Sequence, residues 1–447
     1  MTKLKHSLYH EHFEEISAVY EQMLYLKEQD LIPWPDFMRR DRLLEAHVDG
    51  LGLGGADVFA LCRDKVVNGD AGECSGAVRV LVRTKATREL QQAAGQLDLT
   101  DTPRLDSVVR AFMHETPDRD MENIVRAFFE RKGVFTHLAV RISGHHRLDV
   151  AENLYDIIRA DKTGNAERID AINAIGRVKP DWGAEWLVRF LSSGDIPLRN
   201  SALSTLVRLG DPGVLRLCFQ NVPADQWPGY EAGLAGNARL LQDLSTAAEP
   251  GPDQILAAGM TGDLSAVPAL MSCLEHEILS EPAAFSLNLI TGAGLTEEIF
   301  VPEETDEEFM TDKEIRLLAQ GIRPGKTVTR ISRNPAHWSS WWKQEHSRFH
   351  TGIRYRLGQP ISPWCLRHIL ASENHPAALR NMAADELAVR YGLDSAFDPW
   401  MSVKAQRSVI RSLHDRIERN IGRFREGVLY FHSCPVNQED DLVHHHQ

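Results

Sequence analysis

The sequence contains little cysteine, and its cysteines stand far apart. They are Cys62, Cys74, Cys218, Cys273, Cys365 and Cys434, and no two of them form a CxxC pair. Disulfide frameworks and structural zinc sites depend on recurrent, closely spaced cysteines. We therefore expect reduced thiols, a cytoplasmic location and no structural metal.

Long apolar runs and an excess of positive charge are also missing. Charged residues interrupt the N-terminal segment MTKLKHSLYHEHFEEI within a few positions, whereas a membrane span needs about 20 apolar residues. We expect neither a secretory leader nor a membrane span. The 63 acidic residues outnumber the 50 basic residues and give a net charge of −13. Phosphate backbones bind basic surfaces, so nucleic acid is not an expected partner.

Two glycine-containing segments resemble nucleotide-binding motifs only superficially. Residues 325–327 read Gly-Lys-Thr, but the earlier glycine that a P-loop requires would stand at position 320, which is Gln320. The glycine-rich run 50–55 follows a predicted helix, whereas a dinucleotide-binding turn follows a strand. We interpret that run as a turn between helices and assign no cofactor.

Two histidine pairs have the spacing of metal ligands on a helix. They are His6 with His10 and His346 with His350. Neither pair belongs to an HExxH motif or has a recognisable third ligand, and the sequence has no GxSxG nucleophile elbow. We therefore assign no metal ligand and no catalytic residue.

An internal repeat is present in the middle of the chain. The segment 168–175 recurs as 199–206, with an arginine, an alanine and two apolar positions in register. Each copy leads through a polar break into a second apolar segment, which predicts a helix-turn-helix unit of about thirty residues. Further copies are expected at 255–274 and from residue 282. One such pair cannot bury its own apolar stripe, so the units must stack.

The rest of the chain also has the apolar spacing of helices, and no alternating strand is evident. We predict an all-α fold: an α-solenoid of HEAT-like helical pairs with an N-terminal helical domain and a charged, Trp-rich insertion. The predicted divisions are an N-terminal helical region (1–160), HEAT-like repeats (161–296), the insertion (297–356), C-terminal helical repeats (357–425) and a polar tail (426–447).

Two helix starts share a Thr-Pro signature, at Thr102-Pro103 and Thr116-Pro117. Threonine is a good N-cap residue, and proline suits the first helical position because its missing N–H needs no partner there. We expect each threonine to cap its helix.

The insertion consists of two blocks of opposite charge. Between Glu297 and Asp312 there are eight carboxylates and no basic residue, and between Lys313 and Arg356 ten basic residues accompany two acidic ones. Such blocks either pair with each other or each face a partner. A solvated loop beside a solvated helix is the third interpretation.

Aromatic residues make up only 7% of the chain, yet three of its nine tryptophans lie within five residues. A helix would place all three on one face. Tryptophan, tyrosine and arginine dominate binding hot spots, so we predict a protein-binding site that contains Trp338, Trp341, Trp342, Arg354, Tyr355 and Arg356. We expect a Trp341→Ala and Arg356→Ala variant to lose its partner without losing stability. Alternatively, the indoles fill a core where the insertion packs on the helices.

Three segments carry a resemblance to a known family: residues 12–21, 43–51, and 354–358 leading into 383–388. On these, the chain resembles a proteobacterial family of HEAT-like repeat proteins that is often encoded near type VI secretion genes and has no established active site. The resemblance implies a cytoplasmic, non-catalytic adaptor or chaperone for a protein partner, such as a secreted effector or spike component. The alternatives are an immunity protein that neutralises a co-encoded toxin and a lyase-like helical-repeat enzyme.

Overall fold

The computed structural model describes residues 2–28, 35–160, 163–210, 212–221, 226–236, 250–302, 325–420 and 422–436. Helices dominate this part of the chain, which confirms the all-α prediction. The chain divides into two compact units. Unit 1 contains the residues up to Trp227, Pro363–Phe424 and the segment from Tyr430; unit 2 contains Pro228–Ser362 and Arg425–Leu429. These limits differ from the five predicted divisions because the chain enters unit 1 again after it has formed unit 2.

The elements follow one another in chain order. The first helices, all in unit 1, are α1 (Thr2–Glu28), α2 (Pro35–Gly52), α3 (Ala56–Asn68), α4 (Ala71–Arg83), α5 (Thr87–Ala94), α6 (Thr102–His114), α7 (Arg119–Phe129), α8 (Val134–His146), α9 (Ala151–Arg159), α10 (Asn165–Val178), α11 (Gly183–Leu187), α12 (Ile196–Leu209) and α13 (Pro212–Asn221). Unit 2 follows with α14 (Gly229–Ala235), α15 (Pro252–Thr261), α16 (Val267–Cys273), α17 (Ser280–Thr291), β1 (Thr296–Pro302), β2 (Gly325–Ile331), α18 (Pro335–Glu345), β3 (Tyr355–Arg356) and β4 (Gln359–Pro360). Unit 1 is completed by α19 (Pro363–Ala371), α20 (Ala377–Tyr391), α21 (Val403–Arg419), β5 (Tyr430–Phe431) and β6 (Cys434–Pro435).

The two Thr-Pro helix starts use aspartate caps. Helix α6 begins at Thr102, and its N-cap is Asp101, whose carboxylate accepts from the Arg104 N–H at 3.1 Å. Helix α7 begins only at Arg119, after the N-cap Asp118. The prediction of threonine caps was therefore wrong: aspartate caps at least as well as threonine, and here it takes the capping position in both helices.

Small residues stand where neighbouring helices of unit 1 cross. A Cβ atom placed on Gly144 of α8 would lie 3.0 Å from Ala174 of α10, and one on Gly176 would lie 3.2 Å from Thr205 of α12. The Thr205 hydroxyl donates to the carbonyl of Ile172 at 3.0 Å. These small side chains let the helices approach closely enough for their apolar neighbours to interlock.

Unit 2 contains a crossing of the same kind. A Cβ atom on Gly259 of α15 would lie 2.5 Å from the Ser286 hydroxyl of α17. That hydroxyl donates to the carbonyl of Ile255 at 2.9 Å. The buried core around the crossing includes Leu270 and Trp338, so α18 packs on the interior of this unit through Trp338.

Strands β1 and β2 form an antiparallel ribbon, in register from Thr296 opposite Ile331 to Pro302 opposite Gly325. The prediction of a chain without strands was wrong here. β-Branched residues favour extended backbone, and β2 contains Thr327, Val328 and Thr329. Of the two charged blocks, residues 303–324 lie outside the described residues.

Two hairpins have the same construction, which sequence analysis did not detect. Tyr355 pairs with Pro360 in β3–β4, and Tyr430 pairs with Pro435 in β5–β6. Each hairpin turns through two residues with positive φ, namely Leu357 with Gly358 and His432 with Ser433. Two consecutive left-handed residues are the geometry of a type I′ turn, which matches the twist of the paired strands.

Each turn caps the end of a helix. The Leu357 N–H donates to the Leu289 carbonyl of α17 at 2.7 Å. In unit 1 the His432 N–H donates to the Val389 carbonyl of α20, also at 2.7 Å. The last carbonyls of a helix have no partner within it, so both hairpins satisfy groups that would otherwise remain unpaired.

Candidate functional site

Helix α18 carries the tryptophan cluster. Asn334 is its N-cap, with a side chain that accepts from the Ala336 N–H at 2.9 Å, and Pro335 occupies the first helical position. Asparagine at the N-cap and proline at the first helical position both favour a helix start at this point. The predicted helix through the three tryptophans is confirmed, but their exposure differs.

Trp338 lies in the core of unit 2 with only 1% of its surface exposed. Its indole N–H donates to the Ser332 carbonyl at 2.7 Å. The Ser332 hydroxyl donates in turn to Glu297, which also binds the Arg330 guanidinium and the Arg333 N–H. Burial alone would raise the pKa of Glu297, but these hydrogen bonds outweigh burial and lower it. The ionised carboxylate thus fixes the segment that precedes α18.

Trp341 and Trp342 retain partial exposure and stack on each other, with ring centroids 6.3 Å apart. Phe349 packs against both, at 6.3 Å from Trp341 and 5.4 Å from Trp342. We call these three residues the aromatic face. Large, rigid ring systems of this kind give much contact area for little loss of side-chain entropy.

The three predicted residues 354–356 are buried. Arg356 donates to the carbonyls of Gly259 and Met260, at 3.0 and 2.6 Å, and so binds the C-terminal end of α15. Arg354 forms an ion pair with Asp263. The guanidinium groups of both residues therefore stabilise the interior of unit 2.

Tyr355 lies between this interior and the aromatic face. Its hydroxyl accepts from the His350 N–H at 2.8 Å, and its ring lies 5.0 Å from that of Phe349. The structure therefore divides the six predicted residues into two groups. Four of the six lie in the interior and make structural contacts: Trp338, Arg354, Tyr355 and Arg356. The sequence had suggested that they contact a partner. Trp341 and Trp342 remain accessible, and for them partner binding stays a prediction.

The β1–β2 ribbon adds exposed apolar surface that sequence analysis missed. Phe300 is 54% exposed and Val301 is 36% exposed. Ile299 lies opposite Val328 on one side of the ribbon. The β-branched residues Thr327, Val328, Thr329 and Ile331 of β2 were the available signal.

The titratable side chains of the described residues include no metal-binding cluster of three or more groups, and three of the cysteines have raised pKa values. No group of three or more histidine, cysteine or acidic side chains among them could hold a metal. Burial raises the pKa of the Cys62 and Cys218 thiols to about 12 and that of Cys74 to about 11. Since the thiolate is the nucleophile, these three cysteines are unreactive near neutral pH. No helix in the described ranges is long and apolar enough to cross a membrane.

The described residues form a mostly helical fold that also contains a partly exposed aromatic face and a β-ribbon with exposed apolar side chains. A comparison with models of known protein families gives no match, and a comparison with curated protein sequences gives none either.

Proposed function

We propose that this chain is a non-catalytic scaffold that binds a protein partner, and that its helices form an α-solenoid of HEAT-like pairs. The contact surface consists of the aromatic face (Trp341, Trp342 and Phe349) together with the exposed residues of the β1–β2 ribbon. The observation that carries the proposal is the stacked pair Trp341 and Trp342, which keeps accessible surface although its neighbour Trp338 is buried.

Equivalent crossings in the two units support the solenoid. Thr205 bonds back to the Ile172 carbonyl on the preceding long helix, and Ser286 does the same to Ile255. In both cases a glycine of the preceding helix makes room for the hydroxyl-bearing residue. Recurrence of one packing detail is expected when similar helical pairs stack in a row.

Energetic considerations support a protein partner. Partly exposed tryptophans leave apolar surface in water, and in interfaces tryptophans are among the residues whose truncation costs most, commonly about 2 kcal/mol or more. A two-stranded ribbon is only marginally stable by itself, and Phe300 at its outer part is more than half exposed. A partner that covers both features would bury apolar surface and stabilise the ribbon.

The test compares protein partners captured by three forms of the full chain. The tagged wild type, the Trp341→Ala and Trp342→Ala double variant and the control Trp186→Ala are purified from the native cells, and co-purifying proteins are quantified by mass spectrometry. Trp186 belongs to unit 1, where it packs on Tyr155 with ring centroids 5.0 Å apart. We expect one protein to be enriched with the wild type and the control, and depleted at least about 30-fold with the double variant, which corresponds to about 2 kcal/mol.

Two results would contradict the proposal. One is a set of co-purifying proteins that is identical for all three forms. The other is an unfolded double variant, judged by circular dichroism, which would make the indoles core residues. The captured protein would also distinguish an adaptor from an immunity protein, because only the latter pairs with a toxin. The secreted effector that the family resemblance implies stays a prediction until then.

A further inference from the structure

Helices α1 and α2 of unit 1 bring two histidines together. His12 belongs to α1 and His47 to α2, and their Nδ1 atoms lie 2.8 Å apart. The ring centroids are 5.1 Å apart, with 70° between the ring planes. Both side chains are partly exposed, so water and small ions reach them.

The two rings are held in place by their contact with each other and by the packing of the two helices. One Nδ1 atom donates a hydrogen and the other accepts it, and the tautomers decide which histidine is the donor. Neither ring has a second hydrogen-bond partner among the described residues. Gly50 leaves room for the His12 ring, because a Cβ atom at Gly50 would lie only 3.1 Å from the His12 Cε1 atom.

Imidazole nitrogens are common ligands of divalent transition metals. The group is ordinarily neutral above about pH 7, and the hydrogen of a neutral imidazole can lie on either nitrogen. With both hydrogens on the Nε2 atoms, the two Nδ1 atoms would each present a lone pair at the point where the rings meet. Two helices would then supply one ligand each to the same ion.

The separation of the two Nδ1 atoms indicates a coordination geometry. Divalent metals bind imidazole nitrogen at about 2.0–2.1 Å, so two such bonds at a right angle place the nitrogens about 2.8–3.0 Å apart, and at a tetrahedral angle about 3.3–3.4 Å apart. The observed 2.8 Å agrees with the right angle. Square-planar or tetragonal geometry with such angles is typical of Cu²⁺ and Ni²⁺.

We infer that His12 and His47 form a binding site for one divalent ion of the Cu²⁺ or Ni²⁺ class, which the two Nδ1 atoms bind in adjacent positions. The two nitrogens displace two water molecules from the hydrated ion. Both imidazoles stay neutral, and no electron is transferred. Water keeps the remaining positions, since the described residues contain no group of three or more metal-binding side chains. The bound ion links α1 to α2.

A second histidine pair on α1 provides an internal comparison. His6 and His10 stand four residues apart, their ring centroids lie 6.4 Å from each other, and both side chains are exposed. Exposed side chains lose conformational entropy when an ion orders them, whereas His12 and His47 already contact each other. We therefore expect the ion to prefer the pair between the helices.

The experiment uses the full chain with Ni²⁺ as the probe, because this ion does not oxidise thiols. The three consecutive histidines at 444–446 would bind Ni²⁺ as well, so they are replaced by alanine in every form of the chain. Isothermal titration calorimetry at about pH 7.5, where imidazoles are ordinarily neutral, compares this reference chain with His12→Ala, His47→Ala and the control His10→Ala. We expect one Ni²⁺ per reference chain, an affinity at least about tenfold lower in each of the first two variants, and no change beyond about twofold in the control.

Hydrogen exchange locates the ion without a substitution in the pair. In the reference chain, Ni²⁺ should slow amide exchange in α1 and α2 around His12 and His47, because the ion links the two helices, and should leave unit 2 unchanged. If circular dichroism shows that an alanine variant is unfolded, this measurement decides.

Four outcomes would overturn the inference. Absence of Ni²⁺ binding by the reference chain would show that the two rings form a hydrogen-bonded pair only. An unchanged affinity in both His12→Ala and His47→Ala would place the ion elsewhere, and a loss of binding in His10→Ala alone would assign it to the exposed pair. Slower exchange confined to other segments would exclude the site between α1 and α2. None of these results depends on capture of a protein partner, so failure of the scaffold proposal is distinguishable from failure of this one.

Discussion

Replacement of Arg356 by alanine gives the sharpest test of how unit 2 is held together. The Arg356 side chain is 2% exposed, and its guanidinium donates to the last carbonyls of α15 at Gly259 and Met260. Sequence analysis expected this change to affect only partner binding. The structure instead predicts a loss of stability, because two helix carbonyls lose their hydrogen-bond donor and β3 loses its link to α15.

The magnitude follows from the two hydrogen bonds. A hydrogen bond from a charged donor contributes about 1.5–3 kcal/mol, and a cation at a helix C-terminus adds about 0.3–1 kcal/mol. We therefore expect Arg356→Ala to lower the local free energy of unfolding by about 3–7 kcal/mol. The matched control is Arg348→Ala: that side chain is 62% exposed and pairs with Glu345 at the surface, where such pairs contribute about 0–1 kcal/mol.

Hydrogen exchange is the suitable assay, because a chain with two compact units need not unfold in one step. Amides at the end of α15 and in β3–β4 should exchange about 100-fold faster or more in Arg356→Ala, whereas amides of unit 1 should not change. The reasoning is refuted if the rates in unit 2 stay within about threefold of the wild type. It is refuted as well if Arg348→Ala produces the same acceleration.

Two further predictions concern helix packing and pH. Gly259→Ala would place a methyl group 2.5 Å from the Ser286 hydroxyl and should lower the free energy of unfolding by about 1–3 kcal/mol. The control Gly164→Ala meets no atom within 4 Å and should leave the midpoint of thermal unfolding unchanged. Equal midpoints for both variants would contradict the close crossing. Burial lowers the pKa of His146 to about 4, below its unfolded value of about 6.5, so its contribution to stability is complete above pH 6.5 and is lost as the pH falls towards 4. His146 should contribute a loss of up to about 3 kcal/mol over this range in denaturation curves, in addition to that of other buried histidines such as His114, whose pKa burial also lowers. His146→Gln, which keeps a donor for the Phe112 carbonyl, should reduce the total loss by the share of His146; an unchanged pH dependence in that variant would contradict the assignment.

The helices were predictable because their signals are local. Apolar and aromatic spacing acts within a few turns, and it located α10, α12 and α18. The prediction of a helix through Trp338, Trp341 and Trp342 succeeded for the same reason. The β1–β2 ribbon was missed because neither strand alternates apolar and polar residues regularly, and because its two strands are distant in sequence.

The roles of individual side chains were decided by contacts between distant segments. Arg356 looked like an interface residue by type, yet it binds carbonyls about a hundred positions earlier in the chain. The Asp41 carboxylate of α2 likewise accepts from the Val403 N–H at the start of α21, 362 positions later in the chain. The exposure of a side chain and the groups that it contacts are properties of the packed structure.

The sequence by itself determined a mostly helical chain, because the spacing of apolar residues is encoded within each segment. The tertiary structure alone decided which tryptophans remain accessible and where the paired hairpins cap helix ends. The physical reason is that burial and hydrogen-bond partners arise only when segments far apart in the chain pack against each other.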